Sequence, residues 1–177
     1  MRSLRETFLW NWARKGREFL RLFSYGFRKA VDPASIGYEY QYRYIRHQFV
    51  PGERVLDIGS GGSPFPFATV LADRFLEPTA HRAAQFQAQG KPVVICDIHR
   101  LPFADRQFDF VMTSHVLEHV DDPIQACREL QRVGEAGYIE TPTMLKDALF
   151  SWAKGMHKWH LVAIGNRLVF FEYSARQ

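Results

Sequence analysis

Two stretches of the 177-residue chain combine residue types and spacing that could do chemistry. The first is Val55-Leu56-Asp57-Ile58-Gly59-Ser60-Gly61-Gly62. An apolar run feeding a glycine turn lets backbone come close to a bound ligand. The third glycine of a pyrophosphate loop would fall at Pro64, which suits a helix start under phosphates poorly. A carboxylate at Asp57, two residues before the first glycine, would repel an anion and suits a cationic ligand. Both features count against a nicotinamide-dependent oxidoreductase. The second stretch is His115-Val116-Leu117-Glu118-His119. Its H-x-x-E-H spacing is that of one zinc-peptidase class, which needs both histidines on one long helix. Here the string follows a strand-like run and is broken by Asp121-Asp122-Pro123, so the peptidase reading is set aside. Imidazole suits proton transfer near neutral pH, which makes His119 the first candidate for a general base; Glu140, His157 and His160 follow.

Strand-like runs must position these groups. Arg54–Ile58, Val93–Cys96, Phe108–Thr113 and Gly137–Thr141 read as strands. Between the last two, Pro123–Val133 reads as a helix with Ile124, Cys127, Leu130 and Val133 as its apolar stripe. Asp121 or Asp122 is placed to cap it, with Pro123 in its first turn. Residues 144–154 read as a further helix. Trp159–Ile164 and Arg167–Phe171, split by Gly165-Asn166, read as a hairpin. Alternating strands and helical connections predict a doubly wound α/β fold. The expectation is a mostly parallel, seven-stranded, Rossmann-like sheet that ends in the antiparallel hairpin.

Residues 1–35 are expected to form a helical extension and 36–177 the main domain. Within 4–31, Phe19, Phe23 and Phe27 recur at helical spacing, and Asp32-Pro33 ends the pattern. Residues 1–31 hold eight Lys or Arg against two Glu, although the whole chain carries only +4. The basic character thus belongs to one segment, whereas a nucleic-acid protein would more often spread it over a folded face. No nucleic-acid partner is expected. Two uses compete for this segment: a cap over a ligand cleft, or peripheral contact with an anionic membrane surface. The two cysteines, Cys96 and Cys127, are too few for a disulfide framework and read as reduced core thiols. With no secretory signal and no apolar run long enough to span a bilayer, the expected compartment is the cytoplasm.

Three motifs in order carry a resemblance. Val55–Gly61 resembles the first motif of class I S-adenosylmethionine-dependent methyltransferases. Val94-Ile95-Cys96-Asp97-Ile98-His99-Arg100-Leu101-Pro102-Phe103 resembles that family's D-x-x-x-L-P-F motif, and Phe108–Val120 its fourth-strand motif. The similarity is to the methyltransferase type 11 branch that includes quinone-biosynthesis enzymes. It implies S-adenosylmethionine as cofactor. Gly59, Ser60 and Gly61 would then pack against its amino-acid and ribose part, and Asp57 would help hold its amino-acid end. Asp97 would accept from the adenine amino group, Ile98 pack on the ring, and His115 line the pocket. The family's ribose-binding acid ends its second strand. Asp73 fills that place if Ala68–Asp73 is the strand; if Ala68, Leu71, Ala72 and Phe75 are a helix face instead, Glu77 is the alternative.

Some related methyltransferases carry E-x-x-E-H after the fourth strand and bind a divalent metal. His115 stands where the first Glu would be and the sequence offers no evident fourth ligand, so no metal is expected. The implied function is methyl transfer, with His119 as base, to a small-molecule or lipid-linked acceptor. A catalytically silent binding protein on the same fold is the alternative.

Overall fold

A β-rich apolar run with polar residues held back to its ends makes a strand that can be buried on both faces. Val55–Ile58 is such a run except for the carboxylate of Asp57, and forms β1, buried at every position. Parallel neighbours flank it: β2 (Val70–Asp73) on one side and β4 (Phe108–Ser114) on the other. β3 (Val93–Ile95) adds outside β2, and β5 (Gly134–Glu140) outside β4. The result is a five-stranded parallel sheet in the order β3-β2-β1-β4-β5. Leu56, Ile58, Ala72, Phe108 and Val111 form the core with Leu117, Leu130 and Val133.

This computed structural model describes residue 38 and residues 41–79, 85–149 and 155–173. The chain divides into two units, Met1–Arg46 and His47–Gln177. In the first, Gln41–Arg43 make a 3-10 turn, closed by the Tyr44 N–H on the Gln41 carbonyl at 2.9 Å. The expected helices over 4–31, with Phe19, Phe23 and Phe27, lie outside the described residues. The five-stranded sheet and everything below belong to the second unit.

β1 and β2 are joined by residues 59–69 without a helix. Pro64 and Pro66 explain this, since proline disfavours helical geometry in the residue before it. Buried Phe65 anchors the loop by edge contacts with Phe49 and Phe67. The strand reading of Ala68–Asp73 therefore holds and the helical one does not: β2 ends at Asp73.

The β4–β5 crossover is α1 (Pro123–Val133), with the bounds the sequence suggests. Asp122 caps it, its carboxylate accepting from Gln125 N–H at 2.9 Å, while Asp121 pairs with Lys158 instead. Of the expected stripe, Leu130 and Val133 are buried and Cys127 packs part-buried against the core, while Ile124 does not join them. Ile124 is exposed, and Pro123, Ala126, Leu130 and Val133 face inward with Glu129. Glu129 can be buried because Arg132 and the Leu101 N–H satisfy its oxygens.

α2 spans Met144–Leu149; residues 150–154 of the longer expected helix lie outside the described residues. The hairpin forms as read, with β6 (Trp159–Ile164) antiparallel to β7 (Arg167–Glu172) around Gly165, whose φ is +61°. The seven-stranded sheet does not form: β6 and β7 are a separate two-stranded sheet. Trp159 donates its backbone N–H to the Glu118 carbonyl and its indole N–H to the Val120 carbonyl. Docking on the loop after β4, rather than pairing with the β5 edge, keeps the hairpin apart.

Candidate functional site

All five strands of the parallel sheet run the same way, so Asp57, Asp73, Asp97 and His115 come to one edge. The chain turns outward from β1 to β2 and β3 on one side and from β4 to β5 on the other. The crevice between the ends of β1 and β4 is thus the switch point at which ligands bind in open α/β sheets. The glycine loop lies on one side of it. Gly59 has φ +73° and Gly61 φ +55°, both left-handed. Ser60 is buried, and its hydroxyl has no hydrogen-bond partner among the described residues.

Asp57 is 2% exposed on β1 and accepts from the Phe65 N–H at 2.7 Å. It thereby braces the far end of the glycine loop. Burial pushes its carboxyl up to about 7, against the Phe65 bond and the charge of Lys91, which both favour ionisation. Lys91 donates to the carbonyls of Phe65 and Pro66 at 3.0 and 2.8 Å. The sequence reading missed Lys91; a lone lysine in a loop before β3 carries no signal of its own.

Asp73 points back at the same loop. One of its carboxylate oxygens accepts from Gly61 N–H at 3.1 Å and the other from Phe75 N–H at 3.0 Å. Glu77 is exposed, four residues past the strand. Asp97, beyond β3, accepts from the His99 N–H at 2.9 Å and pairs with the His99 ring and, at 3.3 Å, with Arg74. Partial burial opposes its ionisation, but the His99 bonds and the Arg74 charge outweigh it and hold the carboxyl below the usual range. Ile98 is 7% exposed and sits in the core with Leu56, Ile58 and Leu101.

The loop after β4 holds the second chemical cluster. His115 adopts φ +57°, which ends the strand and precludes a helix carrying both histidines. Its Nδ1 lies 3.1 Å from a Glu118 oxygen and its Nε2 3.6 Å from Glu140. Burial works against its charge, yet the two carboxylates prevail and push its pKa up to about 9. Glu118 is 1% exposed. His119 donates Nδ1–H to the Met156 carbonyl at 3.0 Å, and its Nε2 stands 3.9 Å from Glu118. His157, from the segment before β6, packs its ring 4.8 Å from that of His119 and meets Asp147 through Nδ1 at 3.0 Å. His160 lies 3.7 Å from the same Asp147 oxygen, which also accepts from the Tyr173 hydroxyl.

The structure thus gathers Asp57, Gly59, Ser60, Gly61 and Asp73 around one loop, and His115, Glu118, His119 and His157 around another. Val116 joins the two: a Cβ on Gly59 would lie 2.2 Å from its Cγ2. A cavity of about 270 Å³ on the β5 side, lined by Val111, Leu130, Gly134 and Tyr138 among others, includes none of the glycine-loop residues. Among the described residues no helix is long and apolar enough to cross a membrane.

Residues 56–138 match the family described as methyltransferase domain. A ubiquinone/menaquinone biosynthesis C-methyltransferase of Desulfotalea psychrophila is 25% identical over 65% of this chain and 52% of its own length. A demethylmenaquinone methyltransferase of Renibacterium salmoninarum is 34% identical over 50% of this chain and 39% of its own length. The chain therefore spans about half or less of the length of these curated relatives. Among solved structures, a SAM-dependent methyltransferase of Thermotoga maritima is 24% identical over 67% of this chain and 56% of that one, with a TM-score of 0.45. The family match begins on β1, takes in the glycine loop, the Asp97 loop and the histidine loop, and ends on β5: over these residues the chain matches the methyltransferase-domain family.

Proposed function

We propose that the protein binds S-adenosylmethionine at the β1–β4 crevice and transfers its methyl group to a small-molecule or lipid-linked acceptor. The observation that carries the reading is the glycine loop at the switch point, bracketed by the buried carboxylates of Asp57 and Asp73. The loop's fit to the cofactor is supported by the left-handed turns at Gly59 and Gly61 and by the buried Ser60 hydroxyl that the described residues leave without a partner. An acceptor of this kind is in keeping with the quinone-related names of the two relatives.

When bound, the cofactor supplies an electrophilic methyl group on a sulfonium. The chain's own residues then have three tasks. Asp57 presents negative charge to the cationic amino-acid end, and ligand binding draws it to its ionised form. Asp73 accepts from the ribose hydroxyls while keeping Gly61 in its turn, and Asp97 accepts from the adenine amino group. At the acceptor side, His119 Nδ1 is committed to the Met156 carbonyl, which makes Nε2 the basic nitrogen and suits it to take a proton from a hydroxyl or amine. The remaining contribution is alignment, since displacement needs donor and acceptor about 3–3.5 Å apart with water excluded.

Isothermal calorimetry of the full chain tests this reading. S-adenosylmethionine and S-adenosylhomocysteine are expected to bind one per chain, with NAD giving no heat. Binding of NAD in place of the methyl donor would sink it. Cofactor binding without turnover in a screen of quinone, phenol and amine acceptors would leave a silent binding protein.

A further inference from the structure

We infer that the outer half of the β6–β7 hairpin, residues 163–168, is a finger that inserts into the headgroup region of an anionic lipid bilayer. Residues paired across the two strands share a face, and neighbours along a strand alternate between faces. On one face Trp159, Leu161 and Phe170 pack on the core, and the Ala163–Leu168 pair continues that face towards the turn. The other face carries Val162 with Val169, then Ile164 with Arg167, and Phe171 nearer the base. Ile164 is 58% exposed, Phe171 48% and Leu168 37%. Each face of the tip thus holds a large apolar side chain in solvent, which an isolated two-stranded hairpin in water does not favour.

Three features choose the occupant. A protein surface laid on a hairpin covers one of its faces. Here both faces of the tip are apolar, and a medium that surrounds the tip buries both at once. Charge points the same way. Residues 159–171 contain no acid, Arg167 adjoins the turn, and the next acid, Glu172, pairs with Trp159 at the base. A cation beside apolar side chains is what an anionic headgroup layer attracts. The length fits as well. From buried Leu161 to Ile164 the strand rises about 10 Å, and the apolar faces of segments lying in a bilayer surface sit about 5–10 Å deep.

The base of the finger is fixed. Trp159 donates its backbone N–H to the Glu118 carbonyl at 3.2 Å and its indole N–H to the Val120 carbonyl at 2.8 Å. The Tyr173 N–H closes on the Lys158 carbonyl at 2.9 Å. These bonds tie the hairpin to the loop that holds His119, so a tip seated among headgroups keeps that loop at the bilayer surface. That this would bring a lipid-linked acceptor to the loop rests on the methyl-transfer reading. The bilayer contact itself does not, and it is separate from the contact expected of residues 1–31.

The test is co-sedimentation of the full chain with vesicles of mixed phosphatidylcholine and phosphatidylglycerol, and with vesicles of phosphatidylcholine alone. The wild-type chain is expected to bind the mixed vesicles more tightly than the neutral ones. Ile164→Ser together with Leu168→Ser should lower partitioning by at least about tenfold. Arg167→Ala should lower it by about fivefold on the mixed vesicles. Residues 1–31 are intact in every variant, so equal binding by the wild type and the double variant overturns the proposal. Failure of the wild-type chain to bind overturns it too. So does a wild-type dimer that binds no vesicles and that the double variant loses, which makes the tip an interface between copies. Circular dichroism reports whether the double variant folds. If it does not, hydrogen exchange of the wild-type chain decides: slowed exchange over residues 163–168 with mixed vesicles supports the finger, and unchanged exchange there overturns it. None of these readouts needs a methyl donor or an acceptor, so a failed bilayer contact and a failed methyltransferase reading stay distinct.

Discussion

Gly59 and Val116 are in contact across the crevice between β1 and β4: a methyl group on Gly59 would lie 2.2 Å from Val116 Cγ2. The two residues follow parallel neighbouring strands, paired from Val55–Phe110 to Ile58–Thr113, and they tie the cofactor loop to the histidine loop. Gly59 is constrained twice, by this contact and by its φ of +73°. Gly59→Ala is expected to destabilise the fold by about 2–3 kcal/mol and to weaken methyl-donor binding. Adding Val116→Ala should recover the steric part and leave the backbone strain. Thermal denaturation of the two variants checks this; equal stability of Gly59→Ala and wild type would show that the loop moves freely away from β4.

The three acids at the strand ends should respond differently to substitution. Asp97 has a side chain 38% exposed, beyond the end of β3, so Asp97→Ala should fold normally and lose about 1–3 kcal/mol of donor affinity. Asp73→Asn should lose affinity and also loosen the loop, because it weakens the acceptor of the Gly61 N–H. Glu77→Gln should change neither. Calorimetry with S-adenosylhomocysteine separates them, and loss of binding in Glu77→Gln alone would move the ribose contact to Glu77.

Asp57 predicts a pH dependence. Its folded pKa, about 7, lies above the unfolded value, so between about pH 4 and 7 the native state holds a proton that the unfolded state releases. The stabilising contribution is full below about pH 4, falls as pH rises towards 7 and is level above that, by on the order of a few kcal/mol across the window. Asp57→Asn, whose side-chain carbonyl can still accept from Phe65, should remove that slope from urea unfolding curves. Binding of a cationic donor draws Asp57 to its charged form, so affinity should rise through pH 7 with proton release. Calorimetry in buffers of different ionisation enthalpy measures that proton.

Arg132 holds the loop that carries Asp97. Its guanidinium donates to both oxygens of Glu129, to the Leu101 and Phe103 carbonyls and to Asp105. Arg132→Met leaves the Glu129 carboxylate buried with its charge uncompensated and is expected to cost about 3 kcal/mol. Adding Glu129→Gln should return part of that loss, since the uncompensated charge is gone. Additive single losses in a double-mutant cycle would show that the two side chains act independently.

Much of the fold was readable from local pattern. β1, β4, α1 and the hairpin stand close to where apolar runs, the Asp122-Pro123 start and Gly165-Asn166 put them, because each is specified by residues near in sequence. The methyltransferase motifs were legible for the same reason: each is a strand and the turn that follows it. What local pattern could not settle is where side chains with two possible neighbours go. The ambiguous 68–75 segment became a strand because it could pair between β1 and β3, with the two prolines ahead of it barring a helix. Ile124 faces solvent and Ala126 the core because α1 is rotated to seat Glu129 beneath Arg132 and Leu101. The hairpin is separate from the parallel sheet because its hydrogen bonds go to the Glu118–Val120 loop. The same docking carries His157 to His119 and Glu118. Sequence by itself determined β1, β4, α1, the hairpin and the turns that follow them; only tertiary packing decided β2 with its Asp73 and which residues from distant segments share a site, because that choice depends on burial and hydrogen-bond satisfaction across the whole unit.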